Sequence, residues 1–203
     1  MDNNSITIRA AKPTFDEGLV FARYLDEAAE GFFTFMLGRH SQEIIAKAFI
    51  QPGHAYSFQN VVFAEHDKLI AGMASGFTAK QHQSFPKQAL RQAADCWTLR
   101  MRIVTLLCKP LLQILDSISD GDFYLQAIAI DKNFRSKGIG SELIDFIEDR
   151  ARTSEAKRLS LDVSAKNHGA CKLYERRGMT IESQWTKHLI IPGIKLFRMT
   201  KNL

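Results

Sequence analysis

The residues best suited to chemistry are the run Arg135-Ser136-Lys137-Gly138-Ile139-Gly140-Ser141. It lies between a stretch of strand character and an amphipathic stretch of helical character. A glycine-containing turn that opens a helix lets successive main-chain N–H groups converge on one point, and the helix dipole adds partial positive charge there. Gly138 and Gly140 have no side chain to obstruct a pyrophosphate, and Arg135 and Lys137 add positive charge. The run therefore points to phosphate binding, the alternative being a plain glycine-containing connection with solvated bases. Two familiar phosphate loops do not fit. The pattern GxxxxGK[ST] is absent. The dinucleotide fingerprint needs a glycine where Leu143 stands, and Asp162, 22 residues beyond Gly140, only mimics its ribose-binding acid.

Other reactive side chains carry less pattern. The histidines (His40, His54, His66, His82, His168, His188) have no HxxxH or His/Cys ligand spacing, so no metal site is expected. Cys96, Cys108 and Cys171 cannot all pair and form no CxxC, which fits free thiols in a reducing cytoplasm. Cys171 reads as a small buried thiol, since no histidine stands where it would activate a nucleophile. Glu65, Asp122 and Asp162 lie near strand ends as carboxylates able to accept a proton. Gln126 lies within a strand and cannot act as a base. An ordered water chain would serve as well, and no base is singled out.

The elements that must position these residues follow from pattern. The chain has 203 residues, 45% hydrophobic and 24% charged, which excludes disorder, collagen-like repeats and a disulfide scaffold. Its length suits one domain over residues 1–203. Residues 99–115 are too interrupted, by Arg100, Arg102, Lys109 and Pro110, to span a membrane, and the first ten residues do not read as a signal peptide. The net charge of +5 is concentrated between Lys80 and Leu115, where Lys80, Lys87, Arg91, Arg100, Arg102 and Lys109 face one acid, Asp95. Such a field favours an anionic ligand or surface. Nucleic acid is not expected, because only Phe85 and Trp97 interleave those bases as stacking platforms.

A strand is expected over 5–10, then a helix opened by a Thr14/Glu17 capping box, then a second helix from Ser41 stopped by Gln51-Pro52-Gly53. Strands over 60–65 and 69–78 meet at Asp67-Lys68 with hairpin spacing. Residues 84–118 are helical in pattern, broken near Pro110, and form an insertion open to three readings: lid, dimer surface or membrane-surface patch. The aromatic run 32–36 either walls a substrate pocket or packs a core. A buried strand over 123–130, a helix over 138–152, a strand over 159–163 and a short helix over 167–177 ended by Gly178 follow. Final strands over 179–189 and 194–200 flank Pro192-Gly193. The order implies one α/β domain, a central mixed twisted sheet with helices on both faces.

At this level of detail the segment from Ile128 to Leu143 resembles the acyl-CoA motif of the GNAT superfamily of N-acetyltransferases, which runs from a central strand through [Q/R]-x-x-G-x-[G/A] into a helix. A second family signature is matched by Asn167, Ala170, Leu173-Tyr174 and Gly178. Close resemblance covers about residues 123–182. Lys132, Ser136 and Met179 stand where the family commonly has Pro, Gly and Phe. The resemblance implies acetyl-CoA as acyl donor and a small-molecule, peptide or protein amine as acceptor. It implies that main-chain groups of Ile128 and Ile130, with Ala129 between them, pair with the pantetheine arm. The amides of Arg135, Ser136, Lys137, Gly138, Ile139, Gly140 and Ser141 would hold the pyrophosphate, and Asn167 would bond near the pantetheine. Tyr174 would lie near the thioester sulfur as the acid for the leaving thiolate, or else serve as a core tyrosine. A CoA-binding regulatory module without catalysis is the competing function, and a homodimer is compatible with it all.

Overall fold

Strand β1 (Thr7–Ala10) leads into α1 (Phe15–Ala28), where the Thr14 hydroxyl accepts from the Glu17 amide at 3.3 Å. The capping box is half made. The Glu17 carboxylate instead accepts from the Lys12 amide at 2.6 Å and pairs with Arg9. The aromatic run forms a helix that the pattern does not announce, α2 (Phe32–Leu37), bracketed by Gly31 and Gly38 at φ +84° and +80°. Helix α3 (Ser41–Phe49) crosses α1 at Gly18, where an added Cβ would lie 2.9 Å from the Ala46 Cα. The computed structural model describes residues 6–86, 88–94, 99–185 and 195–203.

Strands β2 (Val61–His66) and β3 (Leu69–Thr78) are joined by Asp67 and Lys68, at φ +52° and +64°, the pair of left-handed residues a two-residue hairpin turn needs. The insertion starts earlier than residue 84. Thr78 and Gln81 cap each other reciprocally and open α4 (Ala79–Ser84) directly after β3. Helices α5 (Ala89–Ala93), α6 (Leu99–Leu107) and α7 (Lys109–Asp116) follow. The break falls at Cys108, and Pro110 sits in the first turn of α7, where no intrahelical N–H is needed.

The rest alternates as β4 (Asp122–Ile130), α8 (Ile139–Thr153), β5 (Arg158–Ser164), α9 (His168–Arg176), β6 (Thr180–Trp185) and β7 (Leu196–Asn202). The seven strands are ordered β1-β2-β3-β4-β5-β7-β6, and only β4 and β5 run parallel. The expected strand residues 186–189, the start of the last strand at 194 and the Pro192-Gly193 connection lie outside the described residues, as do Lys87, Asp95, Cys96, Trp97 and His188. Among the described residues no helix is long and apolar enough to cross a membrane.

Two cores cover the two faces of the sheet. One joins α1 and α3, through Phe21, Tyr24, Ile45 and Phe49, to Phe63 and Met73 of the sheet. The other joins α8, through Ile139, Leu143, Ile144 and Ile147, to Val62, Ala74, Leu159 and Leu161. Strand β4 changes sides between them. Phe123 and Leu125 belong to the α8 core, whereas Ala127 and Ala129 belong to the α1 core. All four are odd-numbered, so strict alternation would keep them on one face. The pairing with β3 explains the switch. Leu125 lies opposite Gly76 and Ala127 opposite Ser75, leaving Gln126 as an extra residue, a β-bulge.

The loop from α3 to β2 is held by His54, which is buried. Its Nδ1 accepts from the Tyr56 amide at 3.1 Å, so Nε2 carries the hydrogen and donates to the Ala48 carbonyl at 3.0 Å. The bond accepted by Nδ1 requires a neutral ring, and burial depresses its pKa, outweighing the Ala48 carbonyl, which raises it. The unfolded chain therefore takes up this proton first as pH falls. The stabilisation is complete above the ordinary histidine value of about 6.5 and is lost below it. Urea titrations at pH 7.5 and 5.5 should show a loss of wild-type stability that is smaller in His54→Gln, a variant less stable than wild type at the higher pH. Equal losses in the two proteins would refute this role.

Candidate active site

Strands β4 and β5 pair only from Asp122 with Arg158 to Leu125 with Leu161, and beyond the bulge they part. The Asp131 amide donates to the Ala71 carbonyl at 2.9 Å, which sets the direction of the preceding main-chain groups. Because these groups alternate sides along an antiparallel pair, Ala127 and Ala129 turn theirs toward β3. Ile128 and Ile130 turn theirs away, into the gap that β5 has left. The Ile130 carbonyl there accepts from Arg135 Nε at 3.1 Å.

The glycine-rich turn follows directly. Ser136 (φ +62°) and Gly138 (φ +87°) are both left-handed, and Gly138 is the N-cap of α8. Alternating handedness turns successive N–H groups to one side, forming an anion-binding concavity. The amides of Arg135 to Gly140 find no acceptor among the described residues, while that of Ser141 bonds the Gly138 carbonyl at 2.9 Å. The basic side chains do not face this concavity. Arg135 pairs with Glu27 of α1 at 2.7 Å, and Lys137 lies over the Phe134 ring, 5.1 Å from its centre. Both basic side chains are thus engaged beside the turn, while its main-chain amides and the N-terminus of α8 face the concavity.

Asn167 caps α9, its Oδ1 accepting from the Ala170 amide at 3.1 Å. Tyr174, one α9 turn further, is 5% exposed and packs in the α8 core. Its hydroxyl has no hydrogen-bond partner among the described residues, yet it is not among their enclosed, unpartnered polar atoms, of which Trp185 Nε1 is the single case. Burial, with Cys171 adding to it, pushes the phenol upward and keeps it protonated at neutral pH. The Cys171 thiol is itself pushed up, by burial and then by Glu175, which suits a small protonated thiol better than a nucleophile.

On the other side of the gap lies a cavity of about 860 Å³, bordered by α1, α2, the insertion, Tyr56, Gln126, Ala127 and Asp162. The aromatic run contributes Phe32, Phe33, Phe35 and Met36 to its wall, and Phe33 and Met36 to the core as well, so the run both lines a cavity and packs the core. Of the four residues weighed around a proton acceptor, Glu65 pairs with Arg9 at 2.8 Å and Asp122 is buried against Arg158. Neither reaches the cavity. Asp162 does, but its oxygens accept from Arg198 at 3.0 and 2.6 Å and from the Tyr124 hydroxyl at 3.0 Å. Gln126 Oε1 accepts from the Ser75 hydroxyl at 3.2 Å.

Two features escape sequence reasoning. Arg198 of β7 also donates to the carbonyls of Ile114 and Ser117, docking the C-terminal end of α7 on the sheet. His82 Nε2 meets Asp116 Oδ1 at 3.0 Å, with the imidazole stacked on Phe77 at 5.5 Å and 8°. Both join residues far apart in the chain, and no local spacing signals them.

The sequence profile of the family described as acetyltransferase (GNAT) matches residues 21–179. Among solved structures, the chain is similar to one described as an acetyltransferase, at 26% identity and TM-score 0.71, covering 97% of this chain and 98% of that one. An N-acetyltransferase from Staphylococcus aureus Mu50 shares the fold at 16% identity and TM-score 0.72, over 96% of this chain and 100% of that one. So does the ribosomal-protein-S18-alanine N-acetyltransferase from Escherichia coli, at 16% identity and TM-score 0.57, over 98% and 94%. No curated protein matches the sequence.

The turn predicts a clean separation of folding from binding. A Cβ at Gly138 meets nothing within 4 Å, so only the positive φ opposes substitution. That strain costs a non-glycine residue about 1–2 kcal/mol, a fall in Tm of roughly 2–8 °C at this size. Gly138→Asp should stay folded by circular dichroism and lose acetyl-CoA affinity in isothermal titration. Unchanged affinity would remove this turn from the site.

Proposed function

The chain belongs to the GNAT family of acetyltransferases, and on that premise we propose that it moves an acetyl group from acetyl-CoA to a primary amine by direct attack on the thioester. Family membership makes the protein an acyl-CoA-dependent transferase; the acetyl group, the amine and the roles below are our reading. The observation that carries it is the continuity of free main-chain groups, from the amides of Arg135 to Gly140 to the gap-facing groups of Ile128 and the amide of Ile130, whose carbonyl Arg135 already holds. A ligand with a pyrophosphate at one end and amides along its arm matches that series.

Acetyl-CoA supplies an acyl group on a thioester, activated because a thiol of pKa about 8.5 is a fairly good leaving group. The amides of the turn take the pyrophosphate with charge-assisted bonds. The gap-facing groups of Ile128 and Ile130 take the pantetheine arm as an added strand would, while Ala129 between them stays bonded to β3. Asn167, with Oδ1 engaged in the helix cap, keeps its Nδ2 hydrogens for the same arm. A gap-facing strand N–H stabilises the negative charge that develops on the carbonyl oxygen, a contribution of ~3 kcal/mol to the barrier. As the C–N bond forms and the C–S bond breaks, Tyr174 gives its hydroxyl proton to the sulfur, and the proton released by the amine nitrogen passes through solvent to restore the Tyr174 hydroxyl.

Thermal-shift titration tests the donor. At 100 times its Kd, a ligand stabilises by about 2.7 kcal/mol, and each kcal/mol raises Tm by roughly 2–4 °C here. Acetyl-CoA should give such a shift, and NAD and ATP should not; no shift at millimolar acetyl-CoA would overturn the proposal. Tyr174→Phe removes a hydroxyl without a protein partner, so Tm should hardly change. Its kcat, followed by thiol release, should fall by up to about 10²-fold with acetyl-CoA affinity intact. An unchanged kcat would leave Tyr174 as a core residue alone.

A further inference from the structure

The acceptor cavity, at about 860 Å³, lies at the upper end of the range for small-ligand sites. Its interior is apolar and aromatic. Phe33 meets Phe32 and Tyr56 edge-on at 5.8 Å, and Phe77 meets Phe85 edge-on at 5.3 Å. The charged residues that border it, Glu30, Arg91, Lys109 and Lys166, are exposed and form a rim.

Among the described residues inside that rim, most polar groups are already engaged, the Tyr56 hydroxyl being an exception. Asp162 is bound by Arg198 and Tyr124, Gln126 by Ser75, and His82 by Asp116. A guest carrying several hydroxyls, ammonium groups or peptide units would leave them without partners, and unpaired buried polar groups are strongly disfavoured. An apolar ring carries no such penalty and gains from leaving water. The amino group itself must reach the gap beside Gln126 and Ala127, which border the same cavity.

We infer that the acceptor is a primary amine carried on an apolar body of one or two aromatic rings, rather than a polyamine, an amino sugar or a peptide. The inference rests on the acetyl-transfer reading above. The rings occupy the space between α2 and the insertion, and the amino group points to the gap between β4 and β5.

The test is thiol release from acetyl-CoA with 2-phenylethylamine and tryptamine against spermidine, glucosamine and a short peptide with a free N-terminus. The aromatic amines should exceed the others in kcat/KM by about 10²-fold. Ala28→Trp and Leu115→Trp, which narrow the cavity from opposite walls, should raise KM for 2-phenylethylamine at least about tenfold without changing the Kd for acetyl-CoA. Equal or better turnover of the polar amines would overturn the inference and leave acetyl transfer standing. So would a preference for octanoyl-CoA over acetyl-CoA with both aromatic amines inactive, which would assign the cavity to the acyl chain. Failure of the wild type to bind acetyl-CoA in the same titration would overturn both.

Discussion

One extra residue in the central strand shapes the site. Gln126 has no counterpart on β3, so β4 bends at that point and its alternation slips by one. Before the bulge, Phe123 and Leu125 bury against the α8 core and the strand is tied to β5. After it, Ala127 and Ala129 bury against α1, and the strand has left β5 behind. The main-chain groups of Ile128 and Ile130 would be ladder bonds in an unbroken sheet; here they face the gap, where the Ile130 carbonyl is taken by Arg135. The same divergence leaves space on the α1 side for the cavity.

The insertion is held over that cavity by apolar packing of Leu90, Met101, Val104 and Cys108 in the α1 core and, at the end of α7, by charge. Asp162 and Arg198 form a buried pair, and the guanidinium reaches on to the last carbonyls of α7, where a cation complements the helix dipole. Burial pushes the Tyr124 hydroxyl well up, with Asp162 adding to the effect, so it remains a donor to that carboxylate. This saturation makes Asp162 a better support for the cavity wall than a proton acceptor. It also explains why a cavity bordered by several carboxylates has an apolar interior.

In the glycine turn the backbone, more than the bases, is presented for an anion on the reading proposed above. Amide donors fixed by Ser136 and Gly138 lose little freedom when an anion arrives, whereas arginine and lysine side chains must be ordered. Arg135 instead joins the turn to α1 through Glu27 and to β4 through the Ile130 carbonyl, so it holds the concavity in place.

Much of this was legible in local pattern. The glycine turn, the Asp67-Lys68 hairpin, the helix stripe from Ile139 to Ala151 and the left-handed stop at Gly178 each depend on a few neighbouring residues, and each is where the spacing puts it. The helix of the aromatic run and the early start of the insertion were missed, although Thr78 and Gln81 carry a capping signal. By itself the sequence determined the order of elements and the left-handed glycine turn that opens α8, because periodicity and φ preference act over a few residues. Only the tertiary structure decided which carboxylates are engaged, where β4 and β5 part, and that His82 and Asp116 share a cavity wall. Those outcomes depend on strand register and on contacts between distant segments, and they appear only when the whole sheet is assembled.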